Sequence, residues 1–165
     1  MTLERKLAAL FHLDGKGWDR HANPWSVWTR YSVLPLFIFA GLLREWSVWL
    51  SILAVVMAVV WMFLNPILFP KPVSLKSWAT QSVLGEQIYL NRDKESLPEH
   101  HQLPLFVILH LTSTVGLILA VWGVYQYDIQ LCILSTLITY LAKSWFLDRM
   151  VWLYCDYRRE HPADE

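Results

Sequence analysis

The chain has 165 residues, enough for one ordinary domain, and it is 55% hydrophobic and 17% charged. A soluble domain carries about 25% charged residues, so this composition favours a membrane protein. Lysine plus arginine and aspartate plus glutamate both total 14. The balance excludes binding to nucleic acid through an excess of positive charge.

Four segments are predicted to cross the membrane as helices: residues 25–43, 46–64, 103–127 and 129–147. The second is uncharged and makes a helix about 28 Å long, enough for a hydrocarbon core. The first and last reach this length if Arg30 and Lys143 extend towards the head groups. The links at 44–45 and 126–128 are short, which favours antiparallel neighbours. The predicted fold is all-α, a four-transmembrane-helix bundle made of two tight helical hairpins.

The distribution of basic residues predicts the orientation. Every lysine and arginine except Arg44 falls in or beside residues 1–24, 65–102 or 148–165. Cytoplasmic segments carry such an excess, so both termini and the central segment are predicted to be cytoplasmic. The chain is therefore expected to be a single multi-pass domain of the cell membrane, with membrane lipids as its partners. The ten tryptophans predict aromatic belts at the membrane surfaces.

The predicted cytoplasmic segments contain further structure. Residues 2–13 have the spacing of a short amphipathic helix suited to the membrane interface. Asn65-Pro66 and the prolines at 70 and 72 are predicted to end the second spanning helix. Ser74 is predicted to cap a central helix that fades near Asn91 and is either interfacial or re-entrant. Glu99-His100-His101, between two prolines, is expected to form a turn.

Polar residues of catalytic type fall almost entirely on the predicted cytoplasmic side, where the helix ends could bring them together. The candidates for acid–base catalysis are Glu86, His100, His101 and Asp148. The candidates for binding a phosphate or carboxylate head group are Arg20, Asn23, Arg30, Asn65, Asn91, Lys143 and Arg149. The alternative is that these groups only form ion pairs with one another, because unpaired charges at membrane depth are costly.

The imidazole and carboxylate groups also suggest a divalent metal site for zinc or iron. The candidate ligands are His21, His100, His101, Glu86 and Asp148. No HExxH motif is present, and solvated or capping histidines are the alternative. A haem site is not expected, because His110 is the only histidine within a predicted span and a matched second ligand is absent from the spans.

Several short motifs resemble those of an uncharacterised family of small prokaryotic integral membrane proteins, known as a domain of unknown function. They are RHANPWSVWTR at 20–30, LNPILFP at 64–70, LGE at 84–86, LNR at 90–92, HH at 100–101 and WFLDRMVWLY at 145–154. The resemblance covers nearly the whole chain. It implies a membrane protein and supplies no activity.

Three functional hypotheses follow. The first, which we favour, is a polar site at the cytoplasmic interface that binds or acts on a lipid or an apolar small molecule, with or without a metal. The second is a structural or accessory membrane subunit whose polar residues only pair internally. The third is a small oligomeric transporter or channel, which the scarcity of polar groups in the outer halves of the spans disfavours. Whether the protein is an enzyme and whether it forms a homo-oligomer both stay open at this point.

Overall fold

The computed structural model describes residues 20–92, 97, 99–101 and 104–161. These residues form an all-α fold, as predicted. The helices are α1 (Pro24–Arg30), α2 (Val33–Leu42), α3 (Val48–Leu68), α4 (Trp78–Leu90), α5 (Leu105–Gln126) and α6 (Ile129–Glu160). Two 3-10 turns, Leu43–Glu45 and Glu99–His101, complete the regular structure of this part of the chain. The predicted amphipathic helix at 2–13 lies outside the described residues.

Four stretches are long enough and apolar enough to cross a membrane, which confirms the predicted number of spans. They are Pro24–Glu45, Val48–Leu68, Leu105–Gln126 and Ile129–Glu160. Large apolar side chains on these helices are exposed, among them Leu53 at 60% and Val121 at 72%. Such a surface suits hydrocarbon rather than water.

The first span is interrupted between α1 and α2, although the sequence predicts one continuous helix. Pro35 has no N–H, so the carbonyl of Tyr31 lacks its usual donor four residues ahead. The Tyr140 hydroxyl donates a hydrogen bond to this carbonyl instead. The break therefore comes from a proline, and a side chain from a distant part of the sequence replaces the lost backbone donor.

The second spanning helix continues past Asn65-Pro66, where the sequence predicts that it closes, and stops at Leu68, before the prolines at 70 and 72 that are predicted to end it. Helix α3 runs to Leu68 with Pro66 inside it. A proline removes a single backbone hydrogen bond, and membrane helices tolerate this loss when neighbouring groups compensate. Asn65 is fully buried and donates a 2.6 Å hydrogen bond from Nδ2 to Oγ1 of Thr29.

Hydrogen bonds from Arg44 connect the first short link to the second. Tyr127, between α5 and α6, has a positive φ of 56°. Asp128 then accepts a 2.9 Å hydrogen bond from the backbone N–H of Leu131 at the start of α6. Arg44, in the link between α2 and α3, donates from Nε to the Tyr127 hydroxyl at 2.8 Å. From Nη2 it donates to the carbonyls of Val124 and Tyr125 at 2.8 and 2.6 Å. Its guanidinium thereby satisfies carbonyls at the C-terminal end of α5 that have no partner within the helix.

The last helix extends well beyond the predicted span at 129–147. It has 32 residues and is about 48 Å long, whereas a hydrocarbon core is about 30 Å thick. Its charged residues all lie from Lys143 onward. The predicted tail at 148–165 is therefore helical as far as Glu160 and continues α6.

The chain divides into two compact units. The polar unit comprises the described parts of 1–28, 66–104 and 146–165, and the span unit comprises 29–65 and 105–145. The polar unit has a small apolar core in which Trp78, Leu84 and Leu90 pack on buried residues; those buried residues are Ala22, Val27, Ala79 and Val83. Helix α4 supplies much of this core.

The start of α4 differs from the prediction. Its N-cap is Ser77, whose side chain accepts a 3.1 Å hydrogen bond from the backbone N–H of Thr80, and not Ser74. Ser74 instead accepts a longer bond from the N–H of Lys76 at 3.3 Å, outside the helix. Leu75 lies before the helix and is 50% exposed. The helix ends at a C-cap on Asn91, close to the predicted position.

Candidate functional site

Two adjacent histidines and one carboxylate form a compact group in the polar unit. Nε2 of His101 lies 2.9 Å from Oδ2 of Asp156, and Nε2 of His100 lies 3.2 Å from the same oxygen. One potential ligand atom from each of the three side chains lies within 4.8 Å of the others. We call these three residues the His–His–Asp group.

The His–His–Asp group has a buried side and an open side. His101 is 5% exposed, whereas the His100 side chain is 64% exposed. The two imidazole rings lie with their centroids 4.2 Å apart. The other carboxylate oxygen of Asp156, Oδ1, lies 3.4 Å from Nη1 of Arg159. One ligand is therefore fixed by packing, and the group can be reached from outside the protein.

The sequence identified the two histidines but not the carboxylate that joins them. The sequence candidate Asp148 lies about two helical turns before Asp156 on α6. It accepts a 3.2 Å hydrogen bond from Nε1 of Trp78 and lies 3.8 Å from Nη2 of Arg149. The sequence predicts a tail after residue 147, so Asp156 is not among its candidates. On the continued helix the two aspartates are about 80° apart around the axis, so the position of Asp148 does not by itself point to Asp156.

Arg149 is a binding candidate in the polar unit with a side-chain nitrogen that has no hydrogen-bond partner among the described residues. This nitrogen, Nε, is buried. Its guanidinium carbon lies 4.5 Å from the centroid of the Trp152 ring, which is 56% exposed. A guanidinium that lies over an exposed aromatic ring and has an unused N–H can donate a hydrogen bond to an anionic oxygen.

Two other binding candidates in the polar unit form hydrogen bonds with backbone groups of the protein. Asn23 donates from Nδ2 to the carbonyl of Pro70 at 2.9 Å and accepts from the N–H of Trp25 at 2.9 Å. It thereby begins α1 and ties two of the family-like motifs together. Asn91 donates from Nδ2 to the carbonyl of Gln87 at 3.0 Å, at the end of α4. Both amides therefore have structural roles.

The remaining candidates are divided between the two units. Arg30, Asn65 and Lys143 belong to the span unit. Arg20 is exposed in the polar unit, where His21 is 7% exposed and Glu86 is half-buried. Neither His21 nor Glu86 is part of the His–His–Asp group. The predicted site thus resolves into two local arrangements in the polar unit, one at His100, His101 and Asp156 and one at Arg149.

Four apolar helices long enough to span a bilayer define the class as a multi-pass membrane protein. Residues 2–165 match the family model described as "Family of unknown function (DUF6653)", and the chain belongs to that family. This match confirms the resemblance to a domain of unknown function. No curated protein and no solved structure matches the chain.

Proposed function

We propose that this protein binds a lipid or an apolar small molecule with an anionic head group, and that Arg149 holds the head. The observation that carries the proposal is the Arg149 guanidinium, whose Nε is buried without a hydrogen-bond partner among the described residues. A buried donor left unsatisfied costs about 1–3 kcal/mol. The Arg149 side chain as a whole is 31% exposed, so a small shift of the guanidinium would bring Nε to an anionic oxygen and remove this cost.

The neighbouring groups support an anion at this position. A guanidinium can hold a carboxylate or phosphate through two parallel hydrogen bonds, which a lysine cannot do. The carboxylate of Asp148 lies 3.8 Å from Nη2 of Arg149 and also accepts a hydrogen bond from Trp78. This pair therefore neutralises the arginine only in part.

The surroundings of Arg149 suit a molecule that is apolar beyond its head. Trp152, over which the guanidinium lies, is 56% exposed. Exposed indole rings are typical of the boundary between lipid and water. An amphipathic ligand can thus contact the Trp152 ring with its chain and Arg149 with its head.

The test is selective retention of anionic lipid by purified protein. In neutral detergent, native mass spectrometry would compare retention of phosphatidylglycerol, phosphatidylcholine and oleate. Wild type is expected to retain an anionic ligand over phosphatidylcholine, and preference between phosphatidylglycerol and oleate would separate a phospholipid from a free carboxylate. Arg149→Lys and Arg149→Ala should lose the selectivity. Arg158→Ala, an exposed arginine on the same helix, is the matched control and should keep it.

A structural or accessory role is the second candidate. The internal bonds of Asn23, Asn91 and Asp148 favour it, because these polar side chains already have partners within the fold. In that case Arg149→Ala would lower the free energy of unfolding while leaving lipid retention equal to that of wild type. This result would overturn the binding proposal.

A further inference from the structure

We propose that His100, His101 and Asp156 bind one divalent transition-metal ion of the zinc or ferrous class. The proposal concerns a different set of side chains from the Arg149 site and does not depend on it. Two imidazole nitrogens and one carboxylate oxygen form a ligand set that both ions accept.

Two of the three separations among the ligand atoms match a shared ion. Ligands about 2.1 Å from a metal lie about 3.0 Å apart at right angles and about 3.4 Å apart in a tetrahedron. The measured separations from Oδ2 of Asp156 are 2.9 Å to Nε2 of His101 and 3.2 Å to Nε2 of His100. The same Nε2 atom faces the carboxylate in both histidines. An ion could therefore be bound with only small side-chain movements.

The environment leaves room for further ligands. The imidazole of His101 is buried and therefore held in place by packing, whereas the His100 side chain is 64% exposed. Three protein ligands with an open side permit one or more water molecules or a substrate oxygen to complete the coordination. Arg159 lies 3.4 Å from Oδ1 of Asp156, the oxygen that faces away from the histidines. Such outer contacts orient a ligating carboxylate.

The competing explanation is a carboxylate that only accepts hydrogen bonds from two imidazoles. Asp156→Asn separates the two explanations, because an asparagine oxygen still accepts hydrogen bonds but is a much poorer metal ligand. His100→Ala provides a second test that does not threaten the fold, since this side chain is largely exposed.

The experiment uses full-length protein in detergent, purified with an affinity tag that contains no histidine. Co²⁺ would be added as the spectroscopic probe and then displaced by Zn²⁺. Calorimetry would give the affinity for the metal, and elemental analysis would give the number of metal ions bound per chain. Wild type is expected to bind one equivalent and to show visible Co²⁺ bands. His100→Ala, His101→Ala and Asp156→Asn should each weaken binding at least about tenfold.

His161→Ala is the matched control, because His161 is an exposed histidine near the end of the same helix. It should bind Co²⁺ as wild type does. The proposal is overturned if wild type gives no saturable Co²⁺ or Zn²⁺ binding, or if His100→Ala and Asp156→Asn bind as tightly as wild type. Lipid retention by these variants should remain unchanged, so failure here is distinct from failure at Arg149.

Discussion

The backbone of α4 at Gly85 packs directly on the backbone of α6 at Met150, and a β-carbon at residue 85 would overlap the Met150 carbonyl. Replacing a helical glycine with alanine usually stabilises a helix by about 1 kcal/mol. Here Gly85→Ala should instead destabilise the protein by about 1–3 kcal/mol, because the overlap forces the two helices apart. Unfolding in detergent with increasing SDS, followed by circular dichroism, measures the change.

A double variant identifies the source of the Gly85 effect. The obstacle is the main chain of residue 150, so Met150→Ala should not restore the stability lost in Gly85→Ala. Restoration by the smaller side chain, or a gain of stability in Gly85→Ala alone, would contradict the close backbone contact.

Arg44 is expected to stabilise the span unit through its forked hydrogen bonds. Arg44→Lys should lower the free energy of unfolding by about 1–3 kcal/mol, because an ammonium cannot reach the carbonyls of Val124 and Tyr125 together with the Tyr127 hydroxyl. Tyr127→Phe keeps the ring, whose centroid lies 4.4 Å from the guanidinium carbon, and removes a single bond. Tyr127→Phe should therefore lower the free energy of unfolding less than Arg44→Lys does. Equal stability of Arg44→Lys and wild type in the same SDS titration would refute the expectation.

The buried contact between Asn65 and Thr29 should be visible as a coupling energy. Hydrogen bonds between membrane helices contribute about 0.6 kcal/mol on average and at most about 1.7 kcal/mol. A double-mutant cycle with Asn65→Leu and Thr29→Val should therefore give a coupling of about 0.6–1.7 kcal/mol. A coupling of zero would mean that the 2.6 Å bond contributes nothing to the stability.

The membrane orientation can be measured with the protein's own cysteines. Cys132 is buried and Cys155 is partly exposed. If the termini are cytoplasmic, a membrane-impermeant maleimide should label Cys155 in inside-out vesicles and not in intact cells. Cys155→Ser should abolish the label and Cys132→Ser should leave it, whereas labelling in intact cells would reverse the orientation.

The spans were predictable because composition and length alone decide whether a helix can cross a bilayer. The details around the prolines were not. At Tyr31 and Pro35 the outcome depends on the Tyr140 hydroxyl, which is far away in the sequence. At Pro66 the helix continues, although the local rule favours an end there.

At the candidate site, too, the chemistry of single residues was predictable from the sequence, but the contacts between residues far apart in the chain were not. The sequence identified His100 and His101 by their chemistry, but their partner depends on where α6 ends. Because the helix reaches Glu160, Asp156 lies in regular structure, where it contacts the two histidines. Similarly, Ser74 and Ser77 are equally good caps by residue type, and the packing of the residues that follow Ser77 decides between them.

The bonds of Arg44 also constrain the order in which the protein is assembled. Its acceptors at Val124, Tyr125 and Tyr127 lie about 80 residues later in the chain. A ribosome adds about 5–20 residues per second, so the first hairpin exists for several seconds or more before these acceptors are synthesised. During that interval these acceptors do not exist. The hydrogen bonds that join the early and late halves of the chain therefore form only after the second hairpin arrives.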